Sequence, residues 1–442
     1  MRLLLTHILL FGIHGLVLSQ ESWTWEQCIE FALANNYDIR IIDINRQQQQ
    51  YNVKDARNSF LPRVSGSVSL SESAGNSIDP STNIITNSDF YKNSYSIGGS
   101  ITLFQGFSRN NRLKFEKYNL QYSEKEVEAQ QNAVAFNVLE MYINVLFYKG
   151  MKDIANEQAQ ISKQALMRNI KMYELGRIPE SEVIELEAQL ANDSLNAIQV
   201  ENMYLLNLLE LKNTMNYPIF DTLKLERINI SEMLITDLNY SVEDIMQSAK
   251  SNLPQIQNLD YTLKAAQYKL AEIKGYALPS LSLGSSWGST YSSTTRDDNN
   301  NIISFLNQIR GKAGTSISLS LSIPLFSRLS NYSLIKKASL SYELAQVQYE
   351  KELIENEYII YNNIRELDAA KKVYQASNKN QEKQELAFIT ANKKLDKGII
   401  DLIDYNTVKN IYAGAKTEFL RSELELFLKA KTIQFYLTGK IL

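Results

Sequence analysis

The sequence predicts a mainly α-helical protein with a small amount of membrane-type β structure: long coiled-coil hairpins and four strands per chain, arranged as an internal tandem repeat. Three observations carry that prediction. Serine and large aliphatic residues alternate strictly in four short segments, a set of landmarks recurs at a nearly constant offset, and long stretches run without proline.

The 442 residues are 44% hydrophobic and 21% charged, with a formal net charge of -3 and both signs interspersed. No basic footprint of the kind nucleic-acid binding requires is present. The start, MRLLLTHILLFGIHGLVLSQ, places Arg2 before an apolar run from Leu3 to Leu18, with Val17 and Ser19 spaced for cleavage, so residues 1–19 read as a signal peptide. Both histidines, His7 and His14, lie inside it, and the mature chain keeps a single cysteine, Cys28. Imidazole-assisted nucleophile chemistry and Cys/His zinc sites are thereby excluded. Carboxylate-only catalysis and oxygen-ligated hard cations stay open. Cys28 has no disulfide partner and lacks the preceding residues of a lipid-attachment site, so it reads as a buried apolar filler. No later stretch is apolar enough for a transmembrane helix, so contact with a bilayer must come through strands.

The chain is written twice. TWEQCIEFALANNYDI from Thr24 shares its layout with SVEDIMQSAKSNLPQI from Ser241, and Leu61-Pro62 falls onto Leu278-Pro279. Leu103-Phe104 then aligns with Leu325-Phe326, and Gly176 with Gly398. Register held over so many landmarks defines a first repeat at 20–215, an inter-repeat segment at 216–240 and a second repeat at 241–442.

Within each repeat the order is helix, strand, loop, strand and a long helical pair. Residues 24–60 read as helix up to Leu61-Pro62, where proline pushes its predecessor toward extended geometry. Strands are expected at about 62–72, 94–104, 279–291 and 314–325. The first sets Val64, Val68 and Leu70 against Ser65, Ser67, Ser69 and Ser71; the last sets Ile317, Leu319, Leu321, Ile323 and Leu325 against Ser316, Ser318, Ser320 and Ser322. In the second, Tyr95, Ile97, Ile101 and Leu103 form the apolar face; in the third, Leu281, Leu283, Trp287 and Tyr291 do. The other face carries only Ser, Thr or Gly, with no charge.

Each strand is long enough to cross hydrocarbon when tilted, and aromatics such as Phe60, Tyr95, Trp287, Tyr291 and Phe326 gather near the ends as an interfacial girdle would. The loops at about 74–93 and 292–313 are rich in Asn, Ser, Thr, Asp and Gly and belong in water. Four strands cannot close a barrel, and an open edge in lipid costs several kcal/mol per unpaired amide. Oligomerisation follows, with two copies giving eight strands and three giving twelve.

From Arg109 to about Tyr173 there is no proline and one glycine, Gly150. Val134, Val138, Met141, Val145 and Tyr148 step at coiled-coil spacing, as do Tyr405, Val408, Tyr412, Ala415 and Phe419 in the second repeat. At 1.5 Å per residue such a helix reaches roughly 100 Å, a length an ordinary globular core does not use.

Taken together, the signal, the repeat, the two Leu-Pro strand entries, the exits LFQGFSRNNR and PLFSRLSNYS, and the turns YELGRIPESEV and LDKGIIDLIDYNTVKN resemble the TolC family of outer-membrane channel-tunnel proteins. The resemblance spans essentially the whole mature chain. It implies a homotrimer whose copies supply four strands each to one twelve-stranded barrel in outer-membrane lipid, continued by a helical tunnel across the periplasm of a Gram-negative bacterium. It implies an exit duct for efflux or type I secretion, without enzymatic activity or cofactor, joined to a periplasmic adaptor and to an inner-membrane pump or ABC exporter. It further implies that the hairpin turns contact the adaptor, through Leu175, Gly176, Arg177 and Ile178 in one and Lys397, Gly398, Ile399 and Ile400 in the other. Asp404 matches a family position that rings the closed entrance, and three copies would make a cation-attracting constriction. Its repeat counterpart is Glu182, and the family's second aspartate is Thr407 here, which thins the ring. Cys28, away from the mature N-terminus, implies an unlipidated member. The competing readings are a secreted coiled-coil stalk or adhesin with a small serine-rich head, and an enzyme built on carboxylates alone, against which the acidic residues are spread along helix faces.

Overall fold

The computed structural model describes residues 22–78, 83–87, 89–228 and 241–441. The expected signal at 1–19 and part of the inter-repeat segment lie outside the described residues. In chain order the elements are α1 (Trp25–Asn35), α2 (Tyr37–Asn58), β1 (Arg63–Ser73), β2 (Asn76–Ile78), β3 (Ile85–Asn87), β4 (Phe90–Gln105), α3 (Ser108–Glu174), α4 (Glu180–Met215), α5 (Val242–Asn252), α6 (Pro254–Gly275), β5 (Ser280–Ser292), α7 (Phe305–Gly311), β6 (Gly314–Ser322), α8 (Ser330–Asp396) and α9 (Leu402–Thr438). The repeat is visible in element lengths: α1 and α5 have 11 residues each, α2 and α6 have 22, and α3 and α8 have 67.

The chain forms two compact units, and each draws on both repeats. One unit comprises Met1–Arg40, Gln130–Asn252 and Tyr358–Leu442; the other comprises Ile41–Ala129 and Leu253–Glu357.

In the first unit α1 starts with a capping box: the Thr24 hydroxyl accepts from the Gln27 amide, and the Gln27 side chain accepts from the Thr24 amide. The expected continuous helix over 24–60 is broken at Asn36. There the Asn36 side-chain oxygen takes the amides of Asp38 and Ile39 and so starts α2 as a separate helix. Cys28, Ile29 and Ala32 are fully buried beside α4, and burial pushes the Cys28 thiol up to about 12, the behaviour of an inert filler. Trp23 pairs with the start of the inter-repeat segment through a bridge to Leu225, and the buried Tyr142 hydroxyl donates to the carbonyls of Trp23 and Glu226 at 2.9 and 2.6 Å. The expected stripe on α3 is buried at Val134, Val138 and Val145 and half-buried at Met141 and Tyr148, widened by Ala135, Leu139, Tyr142 and Leu146.

The second unit holds a four-stranded sheet in the order β1-β4-β5-β6, with every pair antiparallel. Directly opposed residues share a face, so Leu283 lies beside Ile101 and Leu319, and Leu281 beside Leu321. The opposite face is hydroxyl-lined, with Ser67 bonded to Ser96 and Ser286 to Ser316, each at 2.8 Å.

Four sequence expectations change here. A β-bulge at Leu103 places Phe104, not Leu103, opposite Leu281 on the apolar face. The serine face is not free of charge: Arg63 pairs with Ser100 and Lys92 with Ser71, so one cation sits near each end of the β1–β4 ladder. Within the loop expected at 74–93 lie the paired strands β2 and β3 and the first residues of β4, and the loop at 292–313 contains α7. β6 stops at Ser322, two residues before Pro324, which cannot donate to a ladder.

The strand exits repeat a rare backbone. Gly106 and Phe107, and then Arg328 and Leu329, are all left-handed. Glycine is obligatory at Gly106, because a Cβ there would lie 2.2 Å from the Gly275 carbonyl oxygen.

Candidate functional site

Two regions bear on function, and the first is the sheet. Among the described residues, β1 pairs only with β4 and β6 only with β5, leaving an unpaired edge on each side. Both edge strands are exposed along their length, with Val68 at 66% and Leu319 at 65%. A serine-rich soluble head would tuck these aliphatics inside, so the sheet speaks against the stalk reading. The four strands alternate in direction, so the β6 edge of one copy can accept the β1 edge of the next as an antiparallel neighbour. No described helix is long and apolar enough to cross a membrane.

The second region is the pair of hairpin turns, both in the first unit. Each ends its long helix with the same two hydrogen bonds: Gly176 to Tyr173 O and Arg177 to Met172 O, then Gly398 to Leu395 O and Ile399 to Lys394 O. This is a Schellman cap, and it needs the left-handed glycines, with φ of 68° and 65°. Leu175 and Ile399 are exposed at the turns, together with Arg177 and Lys397, whereas Ile178 and Ile400 are half-buried. A Cβ on Gly176 or Gly398 would meet nothing within 4 Å, so both glycine faces are open. Pro179 precedes α4, and the Asp401 carboxylate caps α9 by accepting from the Asp404 amide at 2.8 Å.

Asp404 therefore has its backbone fixed while its own carboxylate is exposed in the first turn of α9, where a helix N-terminus favours negative charge. Thr407 donates its hydroxyl proton back to the Ile403 carbonyl at 2.9 Å and, being neutral, adds no charge beside Asp404. Glu182 is half-buried and lines a cavity of about 730 Å³ with Arg168, Glu185, Asp396, Asp401 and Tyr405. Arg168 on α3 holds the Asp396 carboxylate on α8, an ion pair absent from the sequence-based expectation. Asp404 and Glu182 are thus set apart in character, one exposed and one in the cleft.

The sequence reading also missed a polar junction deeper in the helices. Lys409, 1% exposed, donates to Ser162 Oγ and Asp193 Oδ2, each at 2.6 Å, and joins α9 to α3 and α4. The Asp193 carboxylate additionally accepts from Ser162 and from Gln189. The signal was available, since Lys409 lies four residues after Tyr405 and three before Tyr412, inside the buried stripe.

An exposed aliphatic sheet with two open edges among the described residues thus stands in one chain with two helices of 67 residues that turn at capped glycines. Residues 28–216 match the family described as Outer membrane efflux protein. Solved structures share the fold over 94% of this chain. The CmeC outer membrane channel of Campylobacter jejuni is similar at 17% identity, with a TM-score of 0.80 and 85% of its own chain covered. The outer membrane protein VceC of Vibrio cholerae is similar at 12% identity, with a TM-score of 0.77 and 95% covered. The open state of the MtrE outer membrane channel of Neisseria gonorrhoeae is similar at 16% identity, with a TM-score of 0.71 and 88% covered. At these identities the likeness is one of fold. No curated protein matches the sequence.

Proposed function

We propose that the chain is one protomer of a passive, trimeric exit duct of the outer membrane, receiving substrate from an inner-membrane pump or ABC exporter through a periplasmic adaptor and performing no chemistry itself. The observation that carries this is the sheet, whose aliphatic face is exposed and whose two edges are complementary in direction. Joining β6 of each copy to β1 of the next satisfies the edge amides and turns the aliphatic face to hydrocarbon and the serine face to a water-filled lumen. Detergent extraction from outer membranes should give a heat-modifiable trimer that conducts ions in planar bilayers. A detergent-free monomer in buffer would overturn the reading.

The turns are the proposed adaptor contacts, through Leu175, Gly176, Arg177 and Ile178 and through Lys397, Gly398, Ile399 and Ile400. Gly398→Asp places a charged side chain on an open face and strains one turn residue by about 1–2 kcal/mol. It should abolish adaptor capture in pull-downs while the trimer band persists; Gly398→Asn, which tolerates the left-handed backbone, separates strain from charge. Normal capture by Gly398→Asp would remove the turn from the interface.

Asp404 is the proposed entrance carboxylate, with Glu182 as a lesser candidate. Three Asp404 carboxylates around one axis attract cations at the constriction. Asp404→Ala should raise leak conductance and weaken divalent-cation block in planar bilayers, and unchanged conductance and selectivity would take Asp404 out of the gate. Opening would be a two-state shift in helix packing, favoured by the adaptor through contacts made only in the open state.

A further inference from the structure

Loop helices of a channel are expected to face water with polar side chains alone, and α7, although Asn307 and Arg310 are exposed, buries a glutamine and exposes a leucine. Gln308 is 2% exposed while Leu306 is 62% exposed, and Ile302 just before the helix is exposed as well. The arrangement has a structural basis. Pairing between β5 and β6 ends at Gly288 and Gly314, so Ser289–Ser292 of β5 run on without a β6 neighbour. α7 covers that edge. The Gln308 amide accepts from the Ser292 N–H at 3.0 Å and donates to the Ser292 carbonyl at 2.9 Å, standing in for the missing strand. The Ser289 hydroxyl donates to the Ile309 carbonyl at 2.7 Å. The helix is thus fastened to the sheet.

It is fastened on a particular face. Phe305 packs edge-on against Tyr95 and Tyr291, with centroids 6.0 and 5.4 Å away. Both tyrosines lie on the aliphatic face, Tyr95 opposite Ser289, and Tyr291 two steps from it. Along that face the side chains pass from Leu283 through Trp287 to the Phe305 cluster and then to α7, whose last turn carries exposed Arg310. Residues 302–313 contain Arg310 and Lys312 and no acidic residue. Hydrocarbon-type residues, then an aromatic layer, then cations is the profile of a bilayer surface.

We propose that α7 and Ile302 form a membrane-surface anchor that seats on the outer leaflet beside the barrel, inserting Leu306 and Ile302 at the acyl boundary and drawing anionic, phosphate-bearing headgroups to Arg310; this rests on the duct reading. The test is depth-dependent fluorescence quenching of the full-length trimer in vesicles of phosphatidylcholine with phosphatidylglycerol. A fluorophore is placed on Leu306→Cys, on Leu319→Cys and on Asn299→Cys in separate preparations; Cys28 is fully buried and stays unlabelled. Leu319 should be quenched by chain-deep nitroxide lipid, Leu306 by headgroup-proximal nitroxide lipid, and Asn299 by neither. At Leu306, nitroxide phosphatidylglycerol should be enriched about fivefold over nitroxide phosphatidylcholine, and Arg310→Glu should remove the enrichment. A Leu306 label as open to aqueous iodide as Asn299 overturns the anchor, as does shielding that persists in lipid-free detergent through a neighbouring copy, or lipid contact without anionic preference. If Leu319 also escapes quenching, the duct reading itself fails; if Leu319 is quenched and Leu306 is not, only the anchor does.

Discussion

Leu319→Arg is expected to eliminate the assembled trimer from outer membranes while leaving the helical content of the chain intact. Leu319 is 65% exposed in the single chain, and in a protein surrounded by water such a replacement falls within about 0.5 kcal/mol of neutral. In the proposed trimer Leu319 would face hydrocarbon, where an arginine near the bilayer midplane costs about 2–4 kcal/mol, incurred in every copy. Ser318→Arg, on the hydroxyl face of the same strand, would point to the lumen of the proposed duct and should assemble with altered ion selectivity. Heat-modifiability on gels reads assembly, and planar-bilayer recordings read selectivity. If both arginines assemble equally, the two faces of β6 see the same solvent and the duct is wrong.

Asp193→Ala should destabilise the helical unit by about 3–5 kcal/mol, the second large effect expected. It leaves the ammonium of Lys409, 1% exposed, with the Ser162 hydroxyl as its remaining partner. Replacing the pair together, Lys409→Met with Asp193→Leu, removes both charges from the interior and should recover most of the loss. Thermal unfolding followed by far-ultraviolet circular dichroism measures all members of the cycle, and coupling energy is read as the departure from additivity. Additive single effects would mean that the two charges do not interact.

The repeat and the strands were legible because their signals are periodic. A side-chain alternation of two residues cannot be mistaken when serine fills every other place from Ser316 to Ser322, and element lengths are preserved between repeats because the landmarks bounding them are. Local exceptions were not legible. The break at Asn36 depends on one side chain turning onto its own backbone, the bulge at Leu103 on one extra residue, and α7 on a glutamine that substitutes for a strand. The turn residues could be found from their glycines, since a left-handed cap has a local signature. The Arg168–Asp396 and Lys409–Asp193 pairs join residues more than two hundred positions apart, and no local pattern reports such a pairing. The place of Lys409 in the buried stripe was readable from its spacing to Tyr405 and Tyr412, but which carboxylate it meets was not.

Among the described residues the larger sheet has four strands, all paired antiparallel. Every seam between copies is then chemically the same as a ladder within one, and a ring of two, three or four subunits would satisfy its amides equally well. Stoichiometry is therefore not counted in the barrel. In the proposed duct the number of copies would therefore have to be set outside the barrel, by the way the α3–α4 and α8–α9 hairpins of neighbouring copies pack.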